Sequence, residues 1–284
     1  MRSQWDCLLQ NSGIWAGSFT QVSPQGTQLE DTPTIVSLTP SSDQRTMRQV
    51  VRRLKQPPEE LVLEYSTLAR GVLFLENGAF SQGALQYGPF SEFGAELGLI
   101  ETHPDGTPGD RRLRIVHLFN KASELAQITL IREHREGTTP TSPPPLTVEA
   151  LLGEWHGEAI TVYPDWRTPT TMTSTLRLHR DGQNRLVQQL AFGTSGRSLT
   201  SSATINGAVL TFDQGTPPVQ VVLLPGGASA TSPTQIVSRQ SFFLEAGWLL
   251  HPTLRQRLIR TYDSTGEWVS LTLVTERKVA DSPA

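Results

Sequence analysis

Three residues near the end of this 284-residue chain have the types and spacing to grip an acid. Leu258, Arg260 and Tyr262 occupy alternate positions of a strand-like run, so they share one face, while Arg257, Ile259 and Thr261 take the other. A guanidinium binds a carboxylate through two parallel N–H bonds, and a phenol adds a further donor. The competing reading puts this face in solvent, with Arg260 paired to an acid such as Glu267. The same positions occur a second time. Residues 112–134 (RLRIVHLFNKASELAQITLIREH) align without a gap to residues 255–277 (RQRLIRTYDSTGEWVSLTLVTER), 143 positions later, 112 to 255. Arg112 matches Arg255, Arg114 matches Arg257, and Glu133 matches Glu276. In the first copy the pair becomes His117 and Phe119, which keeps an imidazole but neither guanidinium nor phenol. An anion site is therefore expected in the second copy first, with His117 and Phe119 as its weaker counterpart.

Other chemistries find little support. The six histidines (His103, His117, His134, His156, His179 and His251) form no paired metal-ligand spacing, and no cysteine accompanies them. Cys7 sits in an apolar opening segment and reads as a small buried hydrophobe rather than a nucleophile. There is no Gly-x-Ser-x-Gly elbow, no Walker loop and no dinucleotide glycine fingerprint. No catalytic residue and no metal is nominated. Phe74–Glu96 combines Phe74, Phe80, Tyr87, Phe90 and Phe93 with many glycines. Such a segment suits a flat conjugated ligand, or equally a set of glycine turns and bulges that bend strands.

The elements that must position these residues also come in two sets. Gly13-Ile-Trp15-Ala-Gly17 recurs as Gly153-Glu-Trp155-His-Gly157, so one fold is used twice. Two domains of about 140 residues each are a comfortable size. Residues 137–146 include three consecutive prolines and read as a linker between a first domain, 1–136, and a second, 147–278; residues 279–284 read as a frayed tail. Each half opens with a short helix, Gln4–Gln10 capped by Ser3 and Val148–Leu152 capped by Thr147. Strand patterns follow, eight or nine per half. Met172, Ser174, Leu176 and Leu178 alternate with polar residues, and Asn206-Gly207 is a favoured hairpin turn. Asn77-Gly78, Asp105-Gly106 and Asp263–Gly266 mark further turns. The fold class is all-β, with tandem antiparallel barrels, each preceded by a short helix.

The glycine-flanked tryptophan opening each first strand resembles the lipocalin and calycin signature. The resemblance implies that Trp15 and Trp155 close one end of each barrel beneath the helix, with a late-strand arginine nearby. Arg112 or Arg114, and Arg255 or Arg257, are the candidates; Arg114 and Arg257 are taken as the barrel-closing pair. The stretches LLQNSGIWAGSF, FLENGAFSQG, GPFSEFGAE and 255–277 together resemble a cyanobacterial and plastid family of tandem lipocalin-like proteins without an assigned activity. That likeness covers essentially the whole chain and implies two calycin-type barrels. A fainter one links Gly266-Glu-Trp268-Val-Ser270-Leu-Thr272 to S-type phycobiliprotein lyases, although their motif lies near the N-terminus. The Arg-x-Tyr spacing of Arg260 and Tyr262 resembles the carboxylate grip of fatty-acid-binding barrels.

These readings converge on a soluble protein that holds a hydrophobic or amphipathic ligand in a barrel cavity. The family likeness suggests a tetrapyrrole or bilin, a carotenoid, or a fatty acid. The alternatives are a bilin lyase or isomerase, and a filled-barrel structural protein that assists assembly of photosynthetic complexes. A net charge of −3 gives no electrostatic reason to expect nucleic acid. No window is long and apolar enough for a membrane span. A single cysteine and no recognisable secretory leader lead us to expect a reducing, cytoplasmic setting. Each half is also expected to fold by itself.

Overall fold

The computed structural model describes residues 2–103, 105–139, 143–182, 184–193 and 198–280. Parts of the expected linker (140–142) and tail (281–284) lie outside them. The first half begins with α1 (Gln4–Leu9), where the Ser3 side chain accepts from the Asp6 N–H and Asp6 caps Ser3 in return. Nine strands follow: β1 (Gly13–Val22), β2 (Gln28–Pro40), β3 (Met47–Arg53), β4 (Glu59–Tyr65), β5 (Val72–Phe74), β6 (Phe80–Gly83), β7 (Phe93–Thr102), β8 (Pro108–Phe119) and β9 (Leu125–Arg135). The second half repeats the plan. Thr147 caps α2 (Val148–Leu151). Its strands are β10 (Gly153–Val162), β11 (Thr170–Arg180), β12 (Arg185–Phe192), β13 (Ser198–Asn206), β14 (Val209–Phe212), β15 (Val219–Leu223), β16 (Ala228–Pro233), β17 (Phe242–His251), β18 (Leu254–Tyr262) and β19 (Trp268–Lys278), with a 3-10 turn at Pro225–Gly227.

The two sheets close differently. In the second half, β10 pairs with both β11 and β19, and ten antiparallel strands form a closed barrel. In the first half the order is β4-β3-β2-β1-β9-β8-β7-β6-β5, and β4 does not pair with β5. The expected first barrel is thus a curled, open sheet. The cause is one strand fewer: residues 66–71 make no strand between β4 and β5, whereas the hairpin at Asn206-Gly207 supplies the extra strand in the second half. β4 itself is exposed along nearly its whole length, and only its last residue, Tyr65, packs against the core.

Both glycines of the repeated motif are explained by backbone. Gly13 and Gly153 turn each chain from helix to strand at φ +124° and +113°, a region that favours glycine. At Gly17 and Gly157 a side chain would strike the neighbouring strand, with the carbonyl oxygens of Arg132 and Thr275 only 1.9 and 2.3 Å from where a Cβ would stand.

The described residues form three cores. One lies within the first half, around Trp15, Val36, Leu38, Met47, Phe74 and Phe80. One lies within the second barrel, around Trp155, Leu176, Leu178, Leu186 and Leu210. The largest lies between the halves, where the outer faces of β7–β9 (Phe93, Leu97, Leu99, Leu113, Ile115, Phe119) meet those of β17–β19 (Phe242, Leu244, Trp248, Leu258, Tyr262, Trp268).

Candidate functional site

A cleft of about 350 Å³ opens into the first half where β4 and β5 fail to meet. Tyr65, Thr67, Leu68 and Ala69 stand at its mouth, in and beside the chain that links those two strands. Its walls are apolar, with Val36 and Leu38 from β2 facing Phe74 and Phe80 from β5 and β6. The two phenyl rings lie 5.2 Å apart, centroid to centroid. Gln49 and Gln82 add neutral hydrogen-bonding groups, and Arg112, Arg114 and Glu96 form the floor.

The floor is a buried charge cluster produced by strand register. Gly98 of β7 lies opposite Arg114 of β8, and Arg112 lies opposite Glu133 of β9, so all their polar side chains project to the inner face. Arg114 donates through Nε and Nη2 to Glu133 (3.0 and 2.8 Å) and through Nη1 to Glu96 (2.8 Å). Arg112 donates through Nε to Glu133 at 2.7 Å, and weakly through Nη1 to Asn11 Oδ1 at 3.4 Å. Burial alone would raise the Glu133 pKa, but the two arginines outweigh it and hold the carboxyl down at about 2. Arg114 is likewise desolvated, yet Glu133 and Glu96 raise its pKa further. For Arg112 desolvation prevails and the pKa is lowered. Arg112 is therefore the less completely paired cation. Two positive and two negative side chains leave the floor close to neutral. Chemically, an apolar cleft with a donor-rich floor can seat a tail-and-head molecule whose head accepts hydrogen bonds.

The second barrel carries the matching cluster. Arg257 donates to Glu276 (3.2 and 2.7 Å) and to Glu245 (3.2 Å). Buried Arg255 has its pKa lowered by desolvation, against the pull of Glu276. The carboxylates escaped the sequence reading. Two signals pointed to them: the Glu133–Glu276 identity inside the repeat, and a shared Glu-x-Gly at Glu96–Gly98 and Glu245–Gly247, whose glycines face Arg114 and Arg257.

The structure places the nominated ligand residues elsewhere. Inward positions on β18 are Arg255, Arg257, Ile259 and Thr261, set by their register with β19 and thence with Trp155 on β10. Leu258, Arg260 and Tyr262 point outward, onto the first half. Arg260 donates from Nε to Tyr262 Oη at 2.7 Å, from Nη1 to Ser81 Oγ at 2.9 Å and from Nη2 to the Ala84 carbonyl at 3.0 Å. Its guanidinium lies 3.5 Å from the Trp268 ring centroid. Tyr262 donates to the Ala84 carbonyl at 2.8 Å and stacks on Phe242 at 4.7 Å. The expectation that these three line the second barrel is corrected accordingly: they join the halves, and Arg260 has its donors engaged. Desolvation lowers the Arg260 pKa, opposed by Tyr262.

His117 and Phe119 occupy the equivalent outward face of β8. Phe119 packs on Phe93 at 5.9 Å, and Tyr262 packs on the same ring at 5.2 Å. His117 is fully buried, neither ring nitrogen has a hydrogen-bond partner among the described residues, and burial pushes its pKa down to about 3.

Trp15 and Trp155 are fully buried, and each indole N–H donates back to the end of its helix segment, Trp15 to the Asn11 carbonyl and Trp155 to that of Leu151, both at 2.9 Å. The cations over them are not Arg114 and Arg257. Arg112 and Arg135 each lie 4.5 Å from the Trp15 ring, and Lys278 lies 5.2 Å from Trp155. Arg114 stands one step farther along its strand, over Phe19 at 5.3 Å. Of the aromatic segment, Phe74 and Phe80 reach the cleft, Tyr87 and Phe93 enter the core between the halves, and Phe90 is exposed. Among the described residues no helix is long and apolar enough to cross a membrane, and no group of three or more His, Cys, Asp or Glu is arranged to hold a metal ion.

Residues 1–138 match the family model described as domain of unknown function (DUF3598), N-terminal. Residues 142–279 match that of Biogenesis factor required for ATP synthase 1, C-terminal domain. A crystal structure of a DUF3598-family protein of unknown function from Nostoc punctiforme is 48% identical and superposes with a TM-score of 0.92, covering 98% of this chain and 100% of that one. The S-type phycobiliprotein lyase of Guillardia theta is 11% identical with a TM-score of 0.35, over 48% of this chain and 92% of that chain. Kievitone hydratase from Nectria haematococca is 9% identical with a TM-score of 0.23, over 99% and 93%. Neither of these last two likenesses is close enough to bear on function. No curated protein matches the chain.

Proposed function

This chain belongs to the DUF3598 family, and we propose that its first half binds a small amphipathic molecule in the cleft at the β4–β5 seam. The observation that carries the reading is the open seam itself, which gives an apolar cavity of about 350 Å³ a mouth to solvent and a floor bearing Arg112 and Arg114. That volume lies near the lower end of ligand pockets, roughly 300–1,000 Å³. It suits a slender acyl chain better than a four-ring tetrapyrrole or a carotenoid. The head group would meet Arg112, whose pairing is the less complete, and the tail would lie between Leu38 and the rings of Phe74 and Phe80. Because the floor is already neutralised by Glu133 and Glu96, a hydroxyl or carbonyl head is accommodated as readily as a carboxylate. Native mass spectrometry of the full chain mixed with a fatty acid and with its alcohol tests this. One-to-one adducts are expected with both and should vanish in Ala69→Trp, which plugs the mouth. Adducts that persist in the plugged variant would place the ligand elsewhere.

A second reading rests on the match of residues 142–279 to the domain of Biogenesis factor required for ATP synthase 1. By that likeness the second half would take part in assembling ATP synthase. Incubating the full chain with purified ATP synthase subcomplexes tests it, and failure to co-elute on gel filtration would remove it.

A further inference from the structure

A second cavity, independent of the cleft, lies at the seam between the halves beside the linker. It measures about 250 Å³, and both halves wall it: Ser18, Arg132 and His134 from the first, Gly226 and Trp248 from the second, with Pro143 between. Register explains the grouping. Arg132 lies opposite Ser18 on one side and Leu113 on the other, and His134 lies opposite Ala16 and Arg111, all on the outer face of the sheet.

The charges at this seam do not balance. Arg111 is committed to Glu101 through two hydrogen bonds, at 3.0 and 2.7 Å. Glu133, between Arg132 and His134 in sequence, turns the other way, into the first half, where Arg112 and Arg114 hold it. Arg132 is left with neither an ion pair nor a hydrogen bond to any described side chain, and its Nε is buried without a partner. The 3-10 turn is shaped to cover its stem. Gly226 adopts φ +72°, and a Cβ there would stand 3.0 Å from Arg132 Cδ. The terminal amino groups are the donors that remain to face the cavity. A half-buried guanidinium with no counter-charge is costly, and an oxyanion relieves that cost through two charge-assisted bonds.

We propose that this seam is a binding site for a small oxyanion, the phosphate or carboxylate group of a soluble molecule, gripped by Arg132 with the His134 imidazole and the Ser18 hydroxyl as further donors. Because residues of both halves enclose it, an occupant stabilises their docking as well as the fold.

Thermal unfolding of the full chain tests the site, with inorganic phosphate and acetate titrated separately at ionic strength held constant with sodium chloride. A ligand that binds only the folded state raises Tm in a saturable way. The expected result is such a rise with at least one of the two anions, and which one responds separates phosphate from carboxylate. Apparent affinity should fall tenfold or more in Arg132→Gln and severalfold in His134→Gln, which leaves the cation in place, while Arg239→Gln, an exposed arginine elsewhere, should respond like the wild type. Should Arg132→Gln fail to fold, His134→Gln carries the comparison. No saturable rise with either anion, or equal affinities in the wild type and His134→Gln, would overturn the proposal.

Discussion

At the residue scale, His117 and Arg260 occupy the same place in the two halves and have opposite fortunes. Arg260 finds Ser81 and Ala84 across the seam and Tyr262 beside it on its own strand. His117 finds no hydrogen-bond partner for either nitrogen among the described residues. A pH dependence follows. The folded-state pKa of His117 is pushed by burial from 6.5 down to about 3, so between those values the unfolded chain binds a proton that the folded chain refuses. Stability contributed by the neutral ring is complete above about pH 6.5 and drains away as the pH falls toward 3. Glu133, lowered from 4.5 to about 2, adds its own loss as the pH falls below about 4.5. Unfolding free energies from denaturant melts between pH 7 and pH 4 should fall by a few kcal/mol in the wild type and markedly less in His117→Leu. Parallel slopes in the two proteins would mean that the imidazole is hydrated.

The pairing of Arg260 with Tyr262 on one strand face could be read from the sequence, but not which way that face points. Alternation tells inside from outside only when one face is solvated. Here both faces of β18 are buried, one by the barrel interior and the other by the opposite half. Leu258-x-Arg260-x-Tyr262 and Arg257-x-Ile259-x-Thr261 each mix apolar and polar residues, so the pattern carries no direction. The true inward cluster is easier to see in retrospect, because Arg114 with Glu133 and Arg257 with Glu276 repeat together.

At the element scale, local signals translated well. The capping residues Ser3 and Thr147 start helices where expected, and Asn206-Gly207 turns a hairpin. What the sequence left hidden was the absence of a strand between β4 and β5, since residues 66–71 carry no breaker that differs from an ordinary turn. Closure depends on strand count and shear, which are properties of the whole sheet. The Gly-x-Trp-x-Gly motif fixes the first strand of each half by close packing, and this can be measured. Gly157→Ala places a methyl 2.3 Å from the Thr275 carbonyl oxygen and against the strand that bears Glu276. It should cost about 2 kcal/mol or more, in the range of overpacked cores. Gly182→Ala, with open space around it, should stay within about 0.5 kcal/mol. Equal denaturant midpoints for the two variants would show that β10 and β19 can separate without penalty.

At the scale of the whole molecule, the two halves pack back to back, and the largest apolar cluster belongs to neither alone. Removing one half would expose Phe242, Leu244, Trp248, Leu258, Tyr262 and Trp268 on the other, each worth roughly 1.5–3 kcal/mol when buried. The repeat suggested independent domains, and the shared core argues against it. Residues 143–284 expressed alone should self-associate, or unfold at a clearly lower denaturant concentration than the full chain. An isolated, monomeric half with an unchanged midpoint would show that the seam contributes little.

The proposed function gives the halves separate tasks: the second closes upon itself and docks, while the first, open at β4–β5, would offer its interior. The most direct test of that division is a fluorescence titration of the full chain with a conjugated fatty acid whose emission rises in apolar surroundings, comparing the wild type with Ala69→Trp and Arg260→Leu. Saturable binding is expected in the wild type, weakened tenfold or more by Ala69→Trp and left within about twofold by Arg260→Leu, since only Ala69 borders the cleft. Binding lost in Arg260→Leu and kept in Ala69→Trp would contradict the open first half as the ligand site.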